Sequence, residues 1–338
     1  MKSRPYWVSI FLLLTALMLS AAIGAVVIPP TTLIQILVSK LPGVTVNADW
    51  PKAFEVILLQ IRLPHTILMA LTGAALAASG GAYQGLFRNP LADPYLIGVA
   101  AGAGLGAVLA MALREQGRLS GIYLVPLAAF LGAILTVGVV YGLAYRRDAQ
   151  TTTTLILAGV AVSSFATALT SYLMLRSQGE LRRSMAWLFG GASLNGWEPV
   201  SAAAPYILLG LGVLLTTGHA LNVLQFGEEQ AGQLGLSVNR AKSVIVISAS
   251  LATAAAVAFT GIIGFIGLII PHMVRIVWGS DYRRLLPLCL FGGASALLLA
   301  DLMARLVLAP QELPVGIITS LAGAPFFLWI LWRNKKNM

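Results

Sequence analysis

The sequence predicts an all-α, polytopic membrane protein, and three observations carry that prediction. The chain of 338 residues is 58% hydrophobic and only 10% charged, where a soluble domain carries about 25% charged residues. Its mean hydropathy is +0.86. Apolar runs of the roughly 20 residues that a helix needs to cross a bilayer recur from end to end. They lie near residues 7–28, 56–83, 95–113, 121–145, 153–175, 198–217, 243–262, 263–278, 285–308 and 314–332, ten in all. No connecting stretch is long enough for a separate soluble domain, so residues 1–338 read as one transmembrane domain.

The first run follows Lys2 and Arg4 and ends in small residues, as a signal peptide does. It exceeds 20 residues, too long for the apolar core of such a peptide, and reads as a retained span. A loop of about 29–54 follows, closed by Trp50 and Pro51. The second span runs into RNPLADP, residues 88–94, whose two prolines bar helix continuation. In the third span Gly98, Gly102 and Gly106 recur every four residues and form one smooth face, the pattern of close helix packing in lipid. Packing within the subunit is preferred there over a contact between copies.

Between Arg176 and Trp197 the chain turns polar, then reads MAWLFGGASLNGW, a short interfacial helix with Trp187 and Trp197 as anchors. The longest inner loop, 219–242, contains GEEQAGQLGL. Glu228 and Glu229 suit a helix N-terminus and Gly235 suits its stop. Ala231 and Leu234 give this short helix a small apolar face, which favours partner docking over a solvated connector.

The most informative stretch is GIIGFIGLIIPHMVR, residues 261–275. It is apolar enough for lipid, yet Gly264, Gly267 and Pro271 interrupt it. Freed backbone groups at membrane depth are tolerated only where protein or a water-filled cavity satisfies them, so the break is expected to pack against a pathway. The boundary near 262 fits two short helices or one kinked helix. In the ninth span Asp301 and Arg305 stand four apart on one helix face and can neutralise each other.

With the N-terminus inside, 13 of the 22 Lys and Arg residues fall on the inner side, which favours both termini in the cytoplasm. Cys289, the only cysteine, lies in an apolar run and reads as a small buried hydrophobe. The chain has no GxxxxGK[ST], HExxH or GxSxG, and its three histidines fall in different loops, so neither a nucleotide site, a metal site nor a catalytic nucleophile is expected. Spans two to eight hold almost no carboxylates, against the pattern of a proton- or sodium-coupled carrier. Thr151 to Thr154, at the inner end of the fifth span, serve either as a helix cap or as a hydroxyl constriction.

Five ordered blocks carry a family resemblance: LPHTILMALTGAALAASGGAYQGLFRNPLADPYLIGVAAGAGLG, RSMAWLFGGASLNGW, GEEQAGQLGL, GFIGLIIPHMVR and ADLMARLVLAPQELPVGIITSLAGAPFFLWIL. Over nearly its whole length the chain resembles the FecCD-like permease subunits of type II ABC importers, which take up ferric siderophores, haem and cobalamin. The resemblance implies a homodimer around a central pathway in the inner membrane. It implies two cytoplasmic ATPase subunits that hold ATP and magnesium, an extracytoplasmic substrate-binding protein, and no cofactor or enzymatic activity in this chain. It assigns ATPase coupling to Glu228, Ala231, Gly232, Leu234 and Gly235, and a cytoplasmic gate to Thr152 and Thr153. Arg62 and Arg305 match outer positions that dock the binding protein, and the family's RLPR is RLPH here, with His65 replacing an arginine. An iron-siderophore chelate leads as cargo, with cobalamin or haem as alternatives and a secondary transporter further behind.

Overall fold

The computed structural model describes residues 4–44, 47, 49–115, 121, 123–145, 152–177, 179–191 and 195–334. Among them every regular element is helical. The chain begins with α1 (Arg4–Ala22), α2 (Pro30–Ser39) and α3 (Lys52–Val56). A π-helical turn, Ile57–Arg62, joins α3 directly to α4 (Leu63–Leu86). A 3-10 turn, Pro94–Ile97, leads into α5 (Val99–Glu115), α6 (Leu124–Tyr145) and α7 (Thr152–Arg176). Then come α8 (Leu181–Leu188), α9 (Trp197–Thr216), α10 (Gly218–Leu224) and α11 (Glu228–Gln233). The rest is α12 (Val238–Thr260), α13 (Ile266–Trp278), α14 (Tyr282–Val307) and α15 (Val315–Asn334).

Each of the ten predicted spans corresponds to one helix: α1, α4, α5, α6, α7, α9, α12, α13, α14 and α15. Seven described helices have at least 18 residues and are apolar enough to cross a membrane. The shorter ones include α5, of 17 residues, and α13, of 13.

Helix α4 is the hub, with α14, α12, α13 and α9 packed around it. Small residues let the backbones meet. A Cβ on Gly73 would stand 2.3 Å from the carbonyl oxygen of Gly293 on α14, and one on Gly80 would stand 1.9 Å from that of Gly267 on α13. No side chain fits such a gap, so these crossings admit glycine alone. The glycines of α5 work in the same way toward α6. Gly102 faces the Gly132 carbonyl and Gly106 the Ala128 carbonyl, so this face packs within the subunit as expected.

The boundary near 262 resolves into two helices. Gly261 has φ 79° and Phe265, a non-glycine residue, has φ 69°. These left-handed residues end α12 and start α13 in a new direction. Two sequence expectations are corrected. Trp187 is not an interfacial anchor: its indole is buried among the core residues beneath α8. The segment 29–54 holds the helix α2, whose Leu33 and Ile36 form a second small core with Ile28 and Leu58. Trp197 does lie at the rim, partly exposed, donating from Nε1 to the Leu59 carbonyl at 2.9 Å.

Candidate functional site

One end of the bundle is built by α10 and α11, in the segment expected on the inner side. Helix α10 is stapled down: Gln225 donates to the Gly85 carbonyl at 3.0 Å, and Asn222 Nδ2 donates to Asp281 at 2.6 Å. Asn222 Oδ1 in turn accepts from the Tyr282 backbone at 2.9 Å. The Arg283 side chain and the Asn222 amide hold the Asp281 carboxyl down at about 2. Gly227, at φ 105°, then turns the chain into α11.

Of the expected coupling residues, Glu228 pairs with Lys242, whose side chain is 2% exposed. Ala231 is fully buried against the core, which corrects its assignment to the partner-facing surface. Leu234 is 67% exposed, and Gly232 and Gly235 have open space where a side chain would stand. Phe226, which the sequence reading passed over, is 65% exposed just ahead of α11. Exposed apolar side chains, Phe226 and Leu234, thus flank a helix that an ion pair ties to the bundle. Thr153 is exposed at the start of α7, while Thr151 and the side chain of Thr152 lie outside the described residues.

At the opposite end, the expected docking residues converge on the C-terminus of α1. The last carbonyls of a helix lack intrahelical donors and carry partial negative charge. Arg62 supplies donors: Nη1 bonds the carbonyls of Ala21 and Ala22, both at 3.0 Å, and Nη2 bonds that of Val26. Arg305 Nη2 reaches the Ser20 carbonyl at 3.3 Å and the Ser20 hydroxyl at 3.0 Å. Asp301 is the counter-ion. Its Oδ1 lies 2.9 Å from His65 Nε2, and its Oδ2 lies 3.0 Å from Arg305 Nε without hydrogen-bond alignment.

Arg62 is mostly buried and caps α1, yet it lines one cavity of about 280 Å³ with His65, Arg305 and Glu312, so the three expected docking residues sit together. Arg305 is likewise held inside, as the predicted partner of Asp301. His65 keeps 29% of its side chain exposed. It lines a cavity of about 470 Å³ with Arg182, Asp301, Arg305 and Glu312, and Arg182 on α8 is the exposed guanidinium there.

The helix break is also a packing device. Gly267 meets Gly80 and Leu76 on α4, and Pro271 is buried beside Gly81. Gly267 and Pro271 thus pack against α4. Gly264 alone has open space around it. The Tyr95 hydroxyl closes the break by donating to the Ile263 carbonyl at 2.8 Å. Among the described residues no group of three His, Cys, Asp or Glu can hold a metal ion.

Sequence reading missed two charged groups. Lys242 was read as an inner-loop charge and is buried. Asp93 was read as part of a loop and is carried back among the helices, where Oδ1 caps the 3-10 turn by accepting from Tyr95 N at 2.8 Å. Its signal was the pair of prolines, which end one helix without saying where the chain goes next.

The chain matches the FecCD transport family over residues 12–333. It is 40% identical over 337 residues to YvrB, an uncharacterised ABC transporter permease protein of Bacillus subtilis, covering 99% of this chain and 95% of the relative. It is 46% identical over 286 residues to BtuC, the cobalamin import system permease protein of Halobacterium salinarum, covering 85% of this chain and 76% of the relative. It superimposes with a TM-score of 0.82 on an inward-facing structure of a metal-chelate type ABC transporter, at 29% identity, covering 97% of this chain and 98% of that one. On these likenesses the chain belongs to the FecCD transport family and is a permease subunit of a type II ABC importer.

Proposed function

We propose that this chain carries a metal chelate inward by alternating access, driven by ATP hydrolysis on two cytoplasmic partner subunits. The observation that carries the reading is the projecting α11 loop. Phe226 and Leu234 are exposed on it, while Ala231 and the Glu228–Lys242 pair tie it to α12. Exposed apolar side chains on a rigid mount suit a partner that pushes, and the chain has no P-loop of its own. ATP and magnesium belong to that partner, and this chain performs no covalent chemistry. A second copy completes the pathway, with Thr152 and Thr153 of each at the cytoplasmic gate.

In this reading the chain sits in the inner membrane with both termini in the cytoplasm. A substrate-binding protein docks at the end that carries α8, where the exposed Arg182 stands beside His65 and Arg305, two of the three residues, with Arg62, that the sequence assigned to docking. For the cargo, the 46% identity to a cobalamin permease favours a corrinoid over the iron-siderophore expected from the sequence. Uptake by the reconstituted complex tests both. Cyanocobalamin accumulation that requires ATP supports the corrinoid, and accumulation of a ferric hydroxamate alone returns the reading to the siderophore.

A further inference from the structure

Helix α2 has ten residues. At 1.5 Å per residue it is about 15 Å long, too short to cross a bilayer. Its side chains divide into three stripes at helical spacing. Leu33 and Ile36 are buried and pack on Ala21, Ala22, Ile28 and Leu58. Ile34 and Leu37, with Leu41 just past the helix end, form a second stripe that is apolar and exposed. The backbone of Leu41 still bonds back to the Val38 carbonyl, so the turn carries that stripe onward. Thr31, Gln35 and Ser39, each four residues from the next, form a third stripe that is polar. A helix between a core and water has two faces, one apolar and one polar. A second apolar face, turned away from the core, calls for a third phase.

The position of α2 says which phase that is. Ala21 and Ala22 end the span α1, and Leu58 lies in the turn that opens the span of α4. The helix is therefore level with the ends of two spans. Lys40, at its C-terminus, pairs with Glu55 on α3 in the same layer. Trp50 packs on the same small core, and Trp197 donates to the carbonyl of Leu59, next to Leu58. Tryptophans gather where hydrocarbon gives way to headgroups. The surface of α1 is apolar and exposed along its length, at Phe11, Leu14 and Leu19, and Val26 and Val27 carry it on toward α2.

We propose that α2 is an interfacial foot, lying flat in the lipid leaflet at the end of the bundle opposite α11. Phospholipid covers the stripe of Ile34, Leu37 and Leu41, the Gln35 stripe faces water, and the Leu33 stripe holds the bundle. Such a helix buries its apolar face about 5–10 Å into the boundary between headgroups and acyl chains. Through the small core the foot links that leaflet to the corner where Arg62, His65 and Arg305 meet.

Because Cys289 is buried and is the only cysteine, a single added thiol labels cleanly. Ile34→Cys and Gln35→Cys each receive a nitrobenzoxadiazole fluorophore in the full-length permease, assembled with its ATPase in phosphatidylcholine vesicles without the binding protein. Neighbouring residues on a helix point about 100° apart, so the two probes sample different stripes at one depth. The quenchers are lipid spin-labelled near the headgroup, lipid spin-labelled near the chain end, and iodide equilibrated across the membrane. The foot predicts that the probe at position 34 loses fluorescence to the headgroup-end spin label, loses less to the chain-end label and stays bright in iodide. The probe at position 35 should do the reverse, dimming in iodide and responding weakly to either lipid.

A position 34 probe that iodide dims and spin-labelled lipid leaves bright lies in water, open to a partner protein, and overturns the proposal. So does a probe indifferent to all three quenchers, which a second copy of the chain would cover. Strongest loss to the chain-end label would place α2 deep in the bilayer and also overturns it. Leu37→Cys, on the same stripe, repeats the measurement and must agree with position 34.

Discussion

Lys242 is sealed among the helices with 2% of its side chain exposed, and its ammonium meets the carboxylate of Glu228 at the start of α11. A buried cation is expensive to leave without its acidic partner, and removing one member of such a pair costs about 3–5 kcal/mol. The cost here falls at or below the low end, because Glu228 is partly exposed. Glu228→Gln should lower the melting temperature of the purified permease, and Glu228→Gln with Lys242→Met should recover part of the loss. If the single variant melts like the parent, the pair does not anchor α11.

The Gly80 crossing sets a second expectation. A methyl group there would overlap the Gly267 carbonyl, so Gly80→Ala forces α4 and α13 apart. Overpacking of this kind costs about 1–3 kcal/mol. The matching change at Gly264, which has open space, should be tolerated. Folded yield and thermal stability in detergent compare the two, and equal losses would contradict the packing account.

Arg62 gives a third. Because its guanidinium caps α1, Arg62→Ala should speed backbone hydrogen exchange at the end of α1 and leave docking of the binding protein largely intact. Arg182→Glu should do the reverse, weakening docking without loosening α1. A docking loss confined to Arg62→Ala would restore the role read from the sequence.

Asp281 gives a pH dependence. Its carboxyl is held at about 2 by Arg283 and Asn222, below the ordinary value of 3.8. A lowered folded value means that the ionised form stabilises the fold. That contribution is complete above the ordinary value and is lost as the pH falls from about 4 toward about 2. The group is largely exposed, so the effect is modest. Asp281→Asn should be less stable than the parent at neutral pH, and the difference should vanish near pH 2. A difference that persists at that pH would show that the hydrogen bonds, not the charge, matter.

Much of the fold was legible. All ten spans followed from the apolar runs, although α13 has 13 residues and α14 has 26. The glycine pattern of α5 also read correctly, since a four-residue repeat can only make one face. The boundary near 262 was not legible, because it turns on left-handed backbone at Gly261 and Phe265, and Phe265 gives no hint of that in its residue type. The partners of Arg62 were hidden for a similar reason. Sequence shows a charge near a span end but not the unsatisfied carbonyls of α1 that claim it. On α11 the sequence showed the helix but not its faces: six residues are too few for periodicity to tell Ala231, which packs inward, from Leu234, which projects.

The central claim is that force applied to the α11 loop moves this chain. Vesicles holding the permease with its ATPase, and vesicles holding the permease alone, should be loaded with ATP and offered cyanocobalamin, with Leu234→Pro as the broken-loop control. The account predicts ATP-dependent accumulation by the complex only, and in the control ATP hydrolysis that no longer moves cargo. Accumulation by the permease alone, driven by an ion gradient, would contradict it.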